Sequence, residues 1–114
     1  RYDQAFAGDQ LIKPAQLGDK ARSGNHIYPV RIDFEGLGRS RSQVMLLLRE
    51  AGVGSQVHYI PVPMQPLYQR LGQNPKDYPN AMAYYNEALT IPMFFDLSFE
   101  QQDFVISTLR EVLQ

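Results

Sequence analysis

The sequence predicts one two-layer α+β domain, a sheet of about three strands with helices on one face. The length of 114 residues favours a single core, and 44% hydrophobic with 20% charged residues is typical of a globular protein. Segments with the two-residue period of strands also alternate with segments of helical period. The predicted order is helix end, strand, helix, strand, loop, helix, strand and helix.

The first 25 residues are interpreted as the end of a helix and a connecting segment. RYDQAFAG is typical of a helix that ends at Gly8, and residues 9–25 are mostly polar, with Leu11 and Ile12 as the one strong apolar pair. A sequence that starts within a helix and without an initiator Met is expected to be part of a longer chain. Residues 26–114 are therefore taken as the compact domain.

Residues 26–34, HIYPVRIDF, predict the first strand. Their side chains alternate between two faces, one of which carries Tyr28, Val30, Ile32 and Phe34. Pro29 has no N–H to donate to a neighbouring strand, so an open sheet edge is expected at that point.

A capping box predicts where the next helix begins, because Ser40 is followed three residues later by Gln43. Gly52 is placed as its C-terminal cap. Apolar residues between them have helical spacing, namely Val44, Leu47, Leu48 and Ala51. A short strand over 56–60 follows, and the proline-rich residues 61–78 leave room for one helical turn near 67–71.

The last third of the chain predicts a helix over 80–89, a short strand over 90–95 and a C-terminal helix. Ser98 and Gln101 form a second capping box at the start of that helix. Its apolar face carries Val105, Ile106, Leu109, Val112 and Leu113.

Composition argues against several classes of function. The net charge of −1 and pI of about 6.1 do not favour binding to nucleic acid or to an anionic membrane. No apolar run approaches the ~20 residues that span a bilayer, and the absence of cysteine fits a cytoplasmic protein. His26 and His58 are the only histidines, and they lie far apart without cysteine between them, so no metal site is predicted.

The stretch SQVHYIPVPMQP is the best candidate for a functional edge. Neighbouring side chains on a strand face opposite sides, so only one of His58 and Tyr59 is expected to pack inward while the other faces an edge or a partner. Functional groups are often carried on loops that a rigid scaffold holds. A purely structural role for this pair remains an alternative.

Three segments resemble the C-terminal part of the DegT/DnrJ/EryC1/StrS sugar aminotransferases: HIYPVRIDF, LLREAGVGSQVHYIPVPMQPLYQRLG and YPNAMAYYNEALTIPMFFDLSFEQQDFVISTLREVL. The resemblance covers nearly the whole chain. Within the family it is greatest to enzymes that aminate UDP-4-keto-6-deoxy-N-acetylhexosamines for pseudaminic acid or spore-coat polysaccharide.

This resemblance implies a pyridoxal 5′-phosphate (PLP) enzyme of aminotransferase fold type I. Such an enzyme works as a homodimer and transfers an amino group from glutamate to a keto sugar nucleotide. The PLP-bearing lysine belongs to a large N-terminal domain in this family. Lys13, Lys20 and Lys76 are the only lysines here, and none lies in a motif like that of the PLP lysine. The chain is accordingly expected to be the small C-terminal domain, without PLP and inactive alone.

The resemblance also implies site residues. His58 and Tyr59 match the family's HY pair and are expected to position the substrate by hydrogen bonds to sugar hydroxyls or phosphate. His26 matches the family pattern too, although orienting the strand entry is an equal alternative. Phe94 is a candidate apolar wall for the sugar nucleotide, although core packing is the preferred interpretation. Pro63 replaces a histidine that family members often carry, which puts that histidine's substrate contact in doubt.

A free-standing binding module is the alternative function. Its groove would lie beside the proline-rich loop, with His58, Tyr59 and Tyr68 as contacts. A domain separated from its partner would expose an apolar face, and self-association through that face, including the strand edge near Pro29, is a further expectation. Nucleic-acid binding through Arg39, Arg41 and Arg49 is disfavoured, because acidic residues balance the basic ones along the chain.

Overall fold

A three-stranded antiparallel sheet with strand order β1–β2–β3 organises the fold. It is seen in a computed structural model that describes residues 1–15 and 22–114. The strands are β1 (Ile12–Pro14), β2 (Tyr28–Ile32) and β3 (Ala88–Ile91). The α-helices are α1 (Tyr2–Ala5), α2 (Arg41–Glu50), α3 (Pro66–Arg70), α4 (Pro79–Glu87) and α5 (Phe99–Val112). Short 3-10 turns occupy Val62–Met64 and Pro75–Asp77. The predicted α+β class and three-stranded sheet are confirmed.

The core lies between one face of the sheet and three helices, α1, α2 and α5. The inward faces of β2 and β3 contribute Val30, Ile32, Leu89 and Ile91. The helices contribute Tyr2, Phe6, Val44, Leu48, Val105, Ile106 and Leu109. On the other face, Arg31 of β2 forms an ion pair of 2.6 Å with Glu87 at the end of α4.

Both predicted capping boxes are present. The hydroxyls of Ser40 and Ser98 accept hydrogen bonds from the backbone N–H of Gln43 and Gln101, and the glutamine side chains accept from the serine N–H groups. Each box satisfies donors that the first turn of a helix leaves without partners. Gly52, with a φ of 85°, ends α2 in the left-handed conformation predicted for it.

Strand β1 was not predicted, because its residues fall within the segment interpreted as a connection. Ile12 pairs with Ile32 and is almost completely buried. The side chain of Asp9 accepts hydrogen bonds from the N–H groups of Leu11 and Ile12 and orients the entry to the strand. A three-residue strand of this kind is too short to show alternation in the sequence. The rest of the predicted connection, residues 16–21, lies outside the described residues.

The open edge expected at Pro29 is present on one side only, because β2 is the central strand and Pro29 pairs with Thr90 of β3, whereas the last paired residue of β1 is opposite Val30. The carbonyl of Pro29 accepts a hydrogen bond of 3.3 Å from the N–H of Ala15, immediately after β1. The N–H and C=O of one residue point to the same side of an antiparallel strand. An N–H at position 29 would therefore point towards Ala15, which follows the last paired residue of β1. No hydrogen bond between the paired strands is lost because residue 29 is a proline.

Two other predicted boundaries also differ from the structure. Of the strand expected over 56–60, only Gln56 makes a bridge, to Thr90. The helix expected over 80–89 ends at Glu87, and the strand expected over 90–95 begins at Ala88 instead. Pairing with β2 decides this second boundary, because Ala88 and Leu89 are opposite Arg31 and Val30 in the sheet.

A segment without core residues projects from this fold. No residue from 54 to 87 is buried, although several are apolar. We call residues 59–78 the arm, and its exposed large apolar side chains are Tyr59, Ile60, Val62, Leu67, Tyr68, Leu71 and Tyr78. The Cα radius of gyration is 15.3 Å, whereas a compact domain of this length has about 13 Å.

Candidate functional site

A cleft of about 270 Å³ lies where β3 ends and contains both histidines. We call it the histidine cleft, and the residues along it include His26, Ile27, Gln56, His58, Thr90 and Met93. Sheet register brings these distant segments together. Tyr28 pairs with Ile91, so the residues just before β2 lie beside those just after β3. The antiparallel bridge between Gln56 and Thr90 places residues 54 and 55 at the same end, and the ring of His58 reaches the cleft through its contact with Thr90.

His58 is held on both its side chain and its backbone. Its ring Nδ1 lies 3.0 Å from the Oγ1 atom of Thr90, and its carbonyl accepts a hydrogen bond of 3.4 Å from the hydroxyl of Tyr84 in α4. Burial raises the pKa of Tyr84, against a smaller opposing effect of Arg31, so this phenol remains a donor at neutral pH. His58 itself is half-buried, with one edge at the histidine cleft.

Tyr59 is 66% exposed and lies against His58. The two ring centroids are 4.5 Å apart, with an interplanar angle of 81°, and the peptide bond that joins the residues is cis. Because the two rings are in contact, they do not face opposite sides as they would on a regular strand, and the described backbone leaves the sheet after Gln56. The expectation that only one of the pair packs inward is confirmed, since His58 is half-buried against Thr90 and Tyr59 is exposed.

His26 and Phe94 occupy different surroundings. His26 is exposed at the mouth of the histidine cleft. Phe94 is 57% exposed, so the core packing preferred for it is wrong. It borders a neighbouring groove of about 240 Å³ together with Tyr2, Tyr28 and Met93. Met93 borders both spaces, so Phe94 lies next to the histidine cleft without lining it.

Sequence reasoning missed two residues of this site, Thr90 and Tyr84. Thr90 is 6% exposed and is a polar residue within an otherwise apolar strand. A buried hydroxyl in such a strand needs a hydrogen-bond partner, and that requirement was the available signal. Tyr84 gave no comparable signal, because aromatic residues at helical spacing are usually core residues.

The described parts of the chain contain no group of three or more metal-ligating side chains. The helices within residues 1–15 and 22–114 include none that is long and apolar enough to cross a membrane. Two of the three arginines considered for nucleic-acid binding also make intramolecular contacts. Arg39 donates a hydrogen bond to the carbonyl of Val112, and Arg41 donates one to the carbonyl of Tyr85 while stacking over its ring at 4.5 Å.

Comparison with known proteins gives consistent matches. The family model described as "DegT/DnrJ/EryC1/StrS aminotransferase family" matches residues 1–110. The spore coat polysaccharide biosynthesis protein SpsC of Bacillus subtilis is 33% identical over 116 residues, which span 100% of this chain and 30% of SpsC. A UDP-4-amino-4,6-dideoxy-N-acetyl-beta-L-altrosamine transaminase of Campylobacter jejuni is 28% identical, over 99% of this chain and 30% of the transaminase.

Solved structures show the same relationship. Spr1654 from Streptococcus pneumoniae, which is classed as a sugar aminotransferase, superposes with a TM-score of 0.85 and 34% identity in its PMP form. The match covers 98% of this chain and 28% of Spr1654. The same protein has been solved in a PLP form. This chain thus spans less than a third of the length of the relatives that it matches.

Proposed function

Because the chain belongs to the DegT/DnrJ/EryC1/StrS aminotransferase family, we propose that it is the C-terminal small domain of a PLP-dependent sugar aminotransferase. The enzyme would transfer an amino group from glutamate to a 4-keto sugar nucleotide for cell-surface polysaccharide, in the cytoplasm and as a homodimer. The relationship to SpsC and to the Campylobacter jejuni transaminase supports this substrate class. The shared coverage of about 30% supports the assignment to one domain of a larger enzyme.

The observation that carries the proposal is the meeting of His26 and His58 in one cleft. Imidazole, amide and hydroxyl groups give it hydrogen-bonding capacity without a net charge, which suits sugar hydroxyls and the edge of a phosphate. His58 is proposed to bind the substrate within the cleft and His26 at its mouth. Tyr59 would lie over the bound sugar beside His58, and Phe94 would be an apolar wall of the adjoining groove.

The described residues do not fit PLP as a covalently bound cofactor at this cleft. PLP chemistry in aminotransferases needs a lysine amine. Lys13 lies in β1 and borders a different space with Asp3 and Asp9, and Lys76 is exposed in a 3-10 turn. Lys20 lies outside the described residues, and its sequence context does not match the PLP-lysine motif. We therefore assign PLP binding to a part of the enzyme that this chain does not span, and we expect the chain alone to be inactive.

The arm supports the same division of the enzyme. Its large apolar side chains lie outside the core, and Val62 and Leu67, for example, are each 55% exposed. Exposed apolar patches of this kind are typical of interaction surfaces. We propose that the arm packs against the large domain that the relatives carry, which would place the histidine cleft at the boundary between the domains.

Binding of a sugar nucleotide to this chain tests the proposal. UDP-N-acetylglucosamine is a stable probe that keeps the nucleotide and the acetamido sugar. In a titration followed by ¹H–¹⁵N NMR, we expect millimolar affinity and resonance shifts at His26, Gln56 and His58. Replacing His58→Phe keeps a ring of similar size but removes the hydrogen bonds, so we expect affinity to fall by about fivefold or more.

Tyr68→Phe is the matched control, because Tyr68 lies on the arm and is a contact only for the alternative binding module. We expect its affinity for the nucleotide to equal that of the unmodified chain. Shifts confined to the arm, together with loss of binding in Tyr68→Phe, would instead support a free-standing module. No shift at the histidine cleft at several millimolar nucleotide would contradict the proposed role of His58.

A further inference from the structure

The hydroxyl of Thr90 is the only side-chain hydrogen-bond partner that the described residues give to the His58 ring, with Oγ1 and Nδ1 3.0 Å apart. Thr90 lies in β3, where all four residues are buried. Its N–H and C=O are both bonded to Gln56, at 2.8 and 3.0 Å. The hydroxyl therefore has a fixed position, determined by the sheet and not by the loop that carries His58.

The position of the proton in this hydrogen bond follows from the surroundings of Thr90. If Nδ1 carried the proton and donated to Oγ1, the hydroxyl proton of a nearly buried threonine would have no acceptor among the described residues. Leaving such a donor unpaired costs about 1–3 kcal/mol. If the hydroxyl donates to Nδ1 instead, both groups are satisfied and the ring proton is on Nε2.

We propose that Thr90 is a positioning residue, which holds the His58 ring as the Nε2–H tautomer at the histidine cleft. His58 would then offer a hydrogen-bond donor, so the ligand group that it contacts is an acceptor oxygen of a phosphate, carbonyl or hydroxyl group and not an ammonium group. Only the identity of that ligand rests on the proposed function. The tautomer and its dependence on Thr90 are properties of the chain alone.

The carbonyl of His58 has a separate partner, the hydroxyl of Tyr84, at 3.4 Å. Backbone position and ring orientation therefore have different supports. A change at Thr90 should alter the ring while leaving the path of the chain in place. This separation lets an experiment distinguish a positioning role from a merely structural one.

Imidazole ¹⁵N NMR of the 114-residue chain at neutral pH measures the tautomer directly. In the unmodified chain we expect His58 to show one tautomer, with Nδ1 unprotonated and hydrogen-bonded. Thr90→Val has nearly the same shape but no hydroxyl, and we expect a mixture of tautomers with loss of the Nδ1 hydrogen-bond signature. Thr90→Ser restores the hydroxyl and should restore the single tautomer. His26 is the internal control, because its signals should be the same in all three proteins.

A second measurement tests binding of UDP-N-acetylglucosamine. We expect Thr90→Val to bind it about fivefold more weakly than the unmodified chain, as for loss of one oriented hydrogen bond, and Thr90→Ser to bind within about twofold. A protonated Nδ1 in the unmodified chain, or His58 signals that Thr90→Val leaves unchanged, would overturn the proposal. Absence of nucleotide binding with the predicted tautomer pattern intact would contradict the proposed function and leave the assignment of Thr90 in place.

Discussion

Replacing Phe6→Ala tests whether the N-terminal residues belong to the folded core. Phe6 follows α1 and is 1% exposed, with its ring stacked on Tyr2 at a centroid distance of 6.0 Å. The sequence pattern assigned these residues to a helix end that leads into a connection. If that interpretation were complete, shortening the side chain would have little effect on the stability of the domain.

The structure predicts a large effect. A buried phenylalanine removes about 150–250 Å² of its surface from water, and replacing one with alanine in a packed core costs about 3–5 kcal/mol. A domain of 114 residues has a total stability of about 6–17 kcal/mol. The substitution should therefore remove a substantial fraction of the free energy of unfolding and lower the Tm by roughly 10 °C or more.

Urea unfolding followed by far-UV circular dichroism measures this loss, and Phe95→Ala is the matched control. Phe95 is fully exposed, so the same change of side chain should alter the free energy of unfolding by less than about 0.5 kcal/mol. The slope of each transition with urea should stay near that of the unmodified chain. A cost below about 1 kcal/mol for Phe6→Ala would refute the packing of the N-terminal residues described above.

Two further predictions concern alkaline pH and the C-terminal helix. Burial raises the pKa of Tyr2 to about 12, whereas a tyrosine in the unfolded chain ionises near pH 10. The stability that the neutral Tyr2 phenol contributes is therefore present below about pH 10 and is lost as the pH rises towards about 12. Tyr2→Phe removes the hydrogen bond to the carbonyl of Pro92 and should lower the free energy of unfolding by about 1 kcal/mol at neutral pH. Between neutral pH and a pH above 10, urea unfolding should show a smaller fall in stability for Tyr2→Phe than for the unmodified chain, and an equal fall would contradict this role. Part of the fall should remain in Tyr2→Phe, because burial and Asp3 also raise the pKa of Tyr28. Ser98→Ala removes the cap of α5 and should cost about 1 kcal/mol in urea unfolding. Ser107→Ala, an exposed change inside the same helix, should be neutral or slightly stabilising, and equal costs for the two would argue against the capping box.

The elements that sequence predicted well are those with a local chemical cause. Ser40 and Ser98 mark helix starts because a hydroxyl and a glutamine three residues later satisfy the first backbone donors. Gly52 marks a helix end because only glycine adopts a positive φ there without steric cost. These signals lie within a few residues of the boundary that they determine.

The elements that sequence missed depend on distant partners. Ile12 forms a strand because Ile32 lies beside it, and Ala88 leaves the helical pattern because Arg31 pairs with it. The predicted strand after Gln56 failed for the complementary reason. Beyond that residue the side chain of His58, and not a backbone ladder, makes the contact with Thr90.

The candidate site follows the same rule. The family motif identified His58 and Tyr59, but their separation from His26 in the sequence gave no reason to place both histidines in one cleft. The register of Tyr28 with Ile91 and the contact of the His58 ring with Thr90 bring them together. Thr90 could be recognised only after β3 was known to be buried.

The fold separates the residues that stabilise it from those proposed to bind substrate. Core residues come from 2–53 and 88–113, whereas His58 and Tyr59 lie in a stretch of 34 residues, 54–87, without one buried side chain. Hydrogen bonds with Thr90 and Tyr84 hold His58 where burial does not. Substitutions in this stretch should therefore affect binding more than stability, since a lost hydrogen bond at a partly exposed position costs less than a cavity in the core. If another domain packs against the arm as proposed, a segment that is anchored at a few points can adjust to it, which a segment built into the core could not do without disturbing the fold.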